Sequence, residues 1–341
     1  ESNLREFTTM ANTLKDIQKD ITNDSTRNLV SSSEFTGEIT FLGGTNFGFT
    51  SGGATPSSSN VIDKFSLTSD ADATDVGDLA YATNSTAGQS SATHGYASGG
   101  ITSPSSDPER NFIQKFTFAT NGNATDISNL TLSRDMPSGQ SSIGNGYGYT
   151  SGGSLGASPN LQYDRIDRFP FASDDDATDV GNLTVSRGSS AGQQSGASGY
   201  ASGGYLYPLY SDQIEKFPFS SDFTTATDVG DLTLARSMPC GQSSATHGYT
   251  SGGWVPPASY SQIIDRFAFA SDVNATTVGD MGYPGKRGAG GQSSISSGYI
   301  SGGVTNGYGN QIIKFQFSND ADGTDIANLT FLREKCSGQQ Y

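Results

Sequence analysis

Few side chains in this sequence have the type and spacing to do chemistry. The histidines are His94 and His247, and the cysteines are Cys240 and Cys336. No CxxC or HxxxH spacing is present for zinc. Both histidines lie in one phrase, Thr-His-Gly-Tyr, at 93–96 and 246–249. Other copies of the phrase carry Asn or Ser before the glycine, which suits a turn residue better than a ligand or a general base. Each cysteine stands one or two residues before a Gly-Gln pair, the place of a small buried thiol. The acidic run Asp70, Asp72, Asp75 and Asp78 resembles an oxygen-rich calcium loop. Sister copies put Asn121, Asn123, Asp126 and Asn129, or Phe223 and Thr225, in those places, which favours a solvated turn. The expectation is therefore no catalytic residue, no metal ligand and no cofactor.

The elements that position these residues follow from a repeat. Ser-Gly-Gly occurs at 51–53, 98–100, 151–153, 202–204, 251–253 and 301–303, with a mean spacing of 50 residues. After each comes a phrase such as Ile62-Asp63-Lys64-Phe65 or Ile264-Asp265-Arg266-Phe267, then a relative of Ala-Thr-Asp-Val-Gly-Asp-Leu, first seen at 73–79. Gly-Gln recurs at 88–89, 139–140, 192–193, 241–242, 291–292 and 338–339. Each phrase has strand character: alternation in Ile-Asp-Lys-Phe-Ser-Leu, small residues around Gly-Gln, and a hairpin turn between Gln-Ser-Ser and Gly-Tyr. A period near 50 with four strands suits radial blades, since one open sheet cannot hold so many strands. The expected fold is all-β, a six-bladed β-propeller over 37–341. Gly338–Tyr341 should supply the inner strand that residues 48–53 need, which would close the ring. A rival for that place is Phe41-Leu-Gly-Gly-Thr45.

The repeat resembles kelch in Tyr249-Thr250-Ser251-Gly252-Gly253, Asp265-Arg266-Phe267, Asp280-Met281 and Arg287. It departs from kelch in lacking the usual Trp, because the sole Trp is Trp254, and in having Ala80-Tyr81-Ala82-Thr83 where an Arg is expected. Its wording, Ser-Asp-x-x-Ala-Thr-Asp-Val-Gly-Asp-Leu-Thr with Gly-Gln-Ser-Ser, is also similar to propeller-like virion proteins of marine tailed phages. That resemblance implies a structural part of a particle, often a tail-fibre or host-recognition part, located on the virion; a cellular or secreted kelch-like adhesin or scaffold is the alternative, with an extracellular location.

Residues 1–36 lack the repeat. Leu4, Phe7, Ala11, Leu14, Gln18 and Ile21 recur at 3-4 spacing, which predicts an amphipathic helix over 1–22, followed by a linker. Such a helix would join the propeller to other virion or assembly proteins, or to a copy of itself in a homo-oligomer.

Charge narrows the partners. Lys and Arg number 19 against 34 Asp and Glu, a net charge of −15, which disfavours nucleic acid and anionic membranes. No run approaches the length of a membrane-spanning helix, so no membrane insertion is expected. A propeller oxidase with copper needs a His, Tyr and crosslinked Cys set, and a sialidase needs an axial Arg cluster; neither is evident, and no enzyme is expected. The segments after Gly-Gly differ most between copies: 54–61, 101–112, 154–165, 205–213, 254–263 and 304–311. They carry Tyr163, Tyr205, Tyr207, Tyr210, Trp254, Tyr260 and Tyr308, rigid aromatics suited to a host surface protein or glycan. Seven Asn-x-Ser/Thr sequons occur, and three are Asn-Leu-Thr where other copies have Asp-Leu-Thr, an exchange typical of turns.

Overall fold

The computed structural model describes residues 46–103, 110–155, 161–257, 259–282, 284–305 and 307–341. The expected helix at 1–22, its linker and the rival strand at 41–45 lie outside these residues. The described residues form six four-stranded antiparallel sheets, the blades of a β-propeller, and contain no helix. From axis to rim, blade 1 is Ser337–Gln340, Phe47–Ser51, Ser59–Ser66 and Thr74–Thr83. Blade 2 is Ala87–Ser90, His94–Ser98, Phe112–Thr117 and Thr125–Asn129. Blades 3 to 6 begin at Ser138, Ala191, Cys240 and Gly290. The chain's last strand is thus the first strand of the first blade, as the repeat count predicts: Phe49 pairs with Gln339 and Ser51 with Ser337.

The third strand breaks the apolar–polar alternation of Ile-Asp-Lys-Phe-Ser-Leu at one step, between Asp63 and Phe65. Ile62 and Asp63 are adjacent, and both are fully buried. Both faces of each blade are covered by neighbouring blades, so strict alternation sends successive side chains to opposite neighbours. Ile62 packs with Ala97 and Phe116 of blade 2, whereas Phe65 and Leu67 pack with Tyr299 and Ile312 of blade 6. The fourth strand bulges opposite the Ile62–Asp63 step, where Ile62 faces Gly77 and Asp63 faces Asp75.

At the axis the packing is closest. A Cβ on Gly192 would lie 2.1 Å from the Gly139 carbonyl oxygen, and one on Gly241 equally close to that of Gly192. No side chain fits there, so the inner strand repeats glycine. The following glutamine crosses to the next blade: Gln193 Nε2 donates to the Tyr249 carbonyl at 3.0 Å, and Gln339 Nε2 to that of Tyr96 at 2.9 Å. All six Gly-Gln pairs act this way around the closed ring.

Candidate recognition face

The two faces of the ring differ in what they carry. Inner strands run from one face to the other and return through short turns, so the segments after Gly-Gly and the links between blades share one face. The turns, the acidic runs and both ends of the propeller chain share the opposite face. There the Asn46 amide donates to the Tyr341 carbonyl at 2.8 Å, so the chain enters beside the place where it ends.

On the loop face every segment starts from the same root. Gly252 and Gly253 have φ of +67° and +109°, a turn that only glycine makes without strain. The next residue then pairs with the link between blades: Trp254 N donates to Ser237 O at 2.7 Å, and Ser237 N returns a bond to Trp254 O at 3.0 Å. Equivalent bridges join Ala54 to Glu334, Ile101 to Asn84, Ser154 to Asp135, Tyr205 to Gly188 and Val304 to Arg287. Inside these roots, Ser85, Met136, Ser189, Met238, Gly288 and Lys335 form a ring of backbone hydrogen bonds around the axis. All six have positive φ. They rim a cup of about 130 Å³ that the inner strands floor with glycine, serine, Cys240 and Cys336.

Beneath the roots lies a buried polar triad, of which the sequence shows only an Arg that recurs in the repeat. Arg333 is fully buried; it donates to Asp63 at 2.6 Å and to the carbonyls of Gly52 and Val61. Thr330 completes Asp63, donating from its amide and hydroxyl at 2.9 and 2.7 Å. The same triad recurs as Thr131–Arg134–Asp167, Thr184–Arg187–Glu215 and Thr233–Arg236–Asp265. Burial pushes each guanidinium pKa down, and the carboxylate opposes the shift.

Two junctions lose the whole triad together. Between blades 1 and 2, Ala80, Thr83 and Gln114 replace it, and the Gln114 amide donates to Thr83 Oγ1 at 3.3 Å. Between blades 5 and 6, Gly282, Lys286 and Ile313 stand instead. Lys286 is buried; its Nζ donates to Gln311 Oε1 at 2.7 Å and to Gly302 O at 3.2 Å, and burial holds its pKa down at about 8. The kelch-like reading of Arg287 is therefore corrected by one residue. The cation at the buried position is Lys286, and Arg287 lies on the surface side with its guanidinium 5.1 Å from the Trp254 ring.

The loop aromatics fall into separate groups. Tyr205, Tyr207 and Tyr210 meet on the blade 4 hairpin, Tyr205–Leu206 with Leu209–Tyr210. Trp254 and Tyr260 meet edge to face at 5.1 Å on the blade 5 hairpin, beside Arg287. Tyr163 is half-buried and its backbone ties a loop root, with its amide donating to Gly153 O. Tyr308 is exposed in blade 6, bridged to Val304. Gln162 was missed in the sequence. Its amide donates to Tyr205 O at 2.7 Å and accepts from Tyr207 N at 3.0 Å, clamping the hairpin of the next blade. No spacing rule marks such a residue, because its partner lies 43 residues away across a blade boundary.

The opposite face accounts for the acidic run. Asp70 pairs with Lys314 at 3.3 Å, Asp72 accepts the Asn328 amide at 2.8 Å, and Asp75 accepts that of Gly77. The turn reading is corrected in one respect: Asp70 and Asp72 bind blade 6 rather than water alone. Asn328 gives Asp72 its backbone N–H and also its side-chain amide at 3.3 Å, as Asn129 does for Asp176, whereas Asp78 and Asp231 in the matching places face Asn123 and Asn274. His94 and His247 begin second strands instead of sitting in turns, and Phe47 and Tyr147 take the matching places in blades 1 and 3. Each ring accepts or donates a 2.8 Å hydrogen bond with the preceding threonine, and burial first, then Lys115 or Arg266, pushes its pKa down. Burial likewise raises the Cys240 thiol to about 12 and pushes Cys336 up.

No family matches. The chain was compared with protein-family models and with curated proteins, and it matches none of them.

Proposed function

We propose that this chain is a non-enzymatic recognition module, a six-bladed propeller carried on a larger assembly with its loop face outward. The observation that carries the reading is the division of the ring. Six variable segments rise from identical roots on one face, while both ends of the propeller chain leave by the other. In this reading attachment is through the face where Asn46 and Tyr341 meet, and the loop face is the binding face. The non-enzymatic part is supported by the placement of the reactive groups. Both thiols are buried with raised pKa, and both histidines lie on the face away from the cup, in blades 2 and 5.

The assembly we favour is a virion, on the resemblance of the repeat wording to propeller-like proteins of tailed phages. Residues 1–22 are the connector in this reading, joined to particle proteins or to their own copies. The partner on the loop face is a host surface protein or glycan. The test is retention of the full chain by whole marine bacterial cells, comparing wild type with the Tyr207→Ala, Tyr210→Ala, Trp254→Ala triple variant. Loss of retention by the variant supports the reading; undiminished retention overturns the loop face as the binding face. Immunogold labelling of phage particles tests the location, and unlabelled virions with label on cell envelopes would favour an adhesin.

A further inference from the structure

We propose that the tyrosine corner of blade 4 is a stacking site for an uncharged sugar, one or two hexose units of a larger neutral glycan. This deepens the recognition reading above and rests on it.

The corner is built before any ligand arrives. Pairing of Tyr205 with Tyr210 and of Leu206 with Leu209 puts the two tyrosines on one side of the ribbon. Their rings lie 5.2 Å apart and tilted by 55°. Tyr207 stands nearly perpendicular to Tyr205, at 88° and 6.1 Å, and is 50% exposed. Gln162 fixes the backbone on both sides of Leu206 by bonding Tyr205 O and Tyr207 N. Pro208 stiffens the turn that follows. A ring held this way loses little freedom when a ligand settles on it, which is the gain from preorganisation.

Charge selects the ligand class. Residues 205–211 contain no charged side chain. The Tyr205 phenol is pushed up by burial first and then by Tyr210 and Tyr207. The chain as a whole carries −15, which repels sulfated and sialylated polymers. The carboxylates of Asp70, Asp174, Asp222, Asp272 and Asp320 lie on the opposite face, each paired with a Lys or Arg of the neighbouring blade, so they give the corner no counter-charge for a cationic partner. An uncharged pyranose suits what remains: its C–H face covers the exposed ring, and its hydroxyls meet phenol oxygens and backbone groups. The corner is open and small, so one contact is weak, and useful avidity comes from several copies on one assembly.

The test uses the full chain with maltotetraose, cellotetraose and mannotetraose, and with 3′-sialyllactose and a heparin tetrasaccharide as anionic probes. Saturation-transfer NMR and titration calorimetry read the binding. At least one neutral tetrasaccharide should bind; Tyr207→Ala should weaken it about tenfold or more, and Tyr207→Phe should retain it within about threefold. Failure of every neutral probe, tighter binding of an anionic one, or an unchanged Tyr207→Ala variant would overturn the proposal. If the sugars fail while the triple variant still loses cells, the sugar assignment falls and the loop-face reading stands. If the triple variant holds cells as wild type does, the loop-face reading falls too.

Discussion

The axis of this propeller and the hairpins of blades 4 and 5 are built on opposite rules. At the axis, six copies of Gly-Gln do one thing six times, because a Cβ there would strike the neighbouring backbone. On the loop face, six matching roots carry six different tips, because beyond the bridge such as Trp254–Ser237 no contact repeats from blade to blade, and a tip is held only by side chains of its own junction, as Gln162 holds Tyr205 and Tyr207. Stability therefore concentrates where the copies agree, and recognition is free to concentrate where they differ. Changes at the axis should unfold the ring without a specific effect on binding, and changes at the tips should do the reverse.

The largest effect expected is from removing Ser337–Tyr341. This deletion strips blade 1 of its inner strand and leaves Phe47–Ser51 as an open edge beside the axis. The truncated chain should lose its cooperative thermal transition in circular dichroism and elute as aggregate. A monomer melting like wild type would refute the closure.

Arg333→Ala comes next. It leaves Asp63 buried and facing only Thr330 and should cost about 3–5 kcal/mol, measured by denaturant unfolding. Thr83→Ala, at the junction that lacks the triad, removes the 3.3 Å bond from the Gln114 amide and a 3.4 Å bond to the Tyr81 carbonyl, and should cost about 1–2 kcal/mol. Equal losses at the two junctions would show that the triad is not what holds neighbouring blades. Gly192→Ala should fall between them, at about 2–3 kcal/mol, since the Gly139 oxygen that blocks it is backbone and yields little.

Lys286 sharpens the comparison from within the scaffold, because it is the buried cation without the triad's carboxylate. Its folded pKa, about 8, is below the ordinary 10.5, so folding disfavours the charged form. The penalty is complete below pH 8 and fades as pH rises from about 8 towards 10.5. Wild type should therefore gain on Lys286→Met by on the order of 2–3 kcal/mol between pH 7 and 10.5, followed by urea unfolding. Tyr96, Tyr149 and Tyr200, raised to about 12 by burial, titrate in both proteins and cancel in the difference. A gap independent of pH would mean that Lys286 is not a desolvated cation.

How much of this was legible in the sequence follows the same division. The blade count and the closing strand were readable because Gly-Gly and Gly-Gln answer to backbone geometry, which recurs without change. The buried cation was misplaced by one residue at Arg287, where Lys and Arg stand side by side. Counting five residues back from each Gly of Gly-Gln marks Lys286, together with Arg134, Arg187, Arg236 and Arg333. The role of Thr330 and its equivalents was invisible, since hydrogen bonds to the next blade leave no local pattern. The aromatic tips could be named, but not their grouping. That Tyr205, Tyr207 and Tyr210 form one corner, and that Gln162 holds it, depends on where neighbouring loops come to rest.

The most direct test measures melting temperature and cell retention on the same samples of wild type, the Tyr207→Ala, Tyr210→Ala, Trp254→Ala variant, and Arg333→Ala. The triple variant should melt within about 3 °C of wild type and lose retention, because its side chains are exposed or half-buried on loop tips. Arg333→Ala should melt far lower, yet retain cells below its transition. A triple variant that keeps its retention, or an Arg333→Ala protein that is folded and fails to bind, would contradict the separation of scaffold from recognition face.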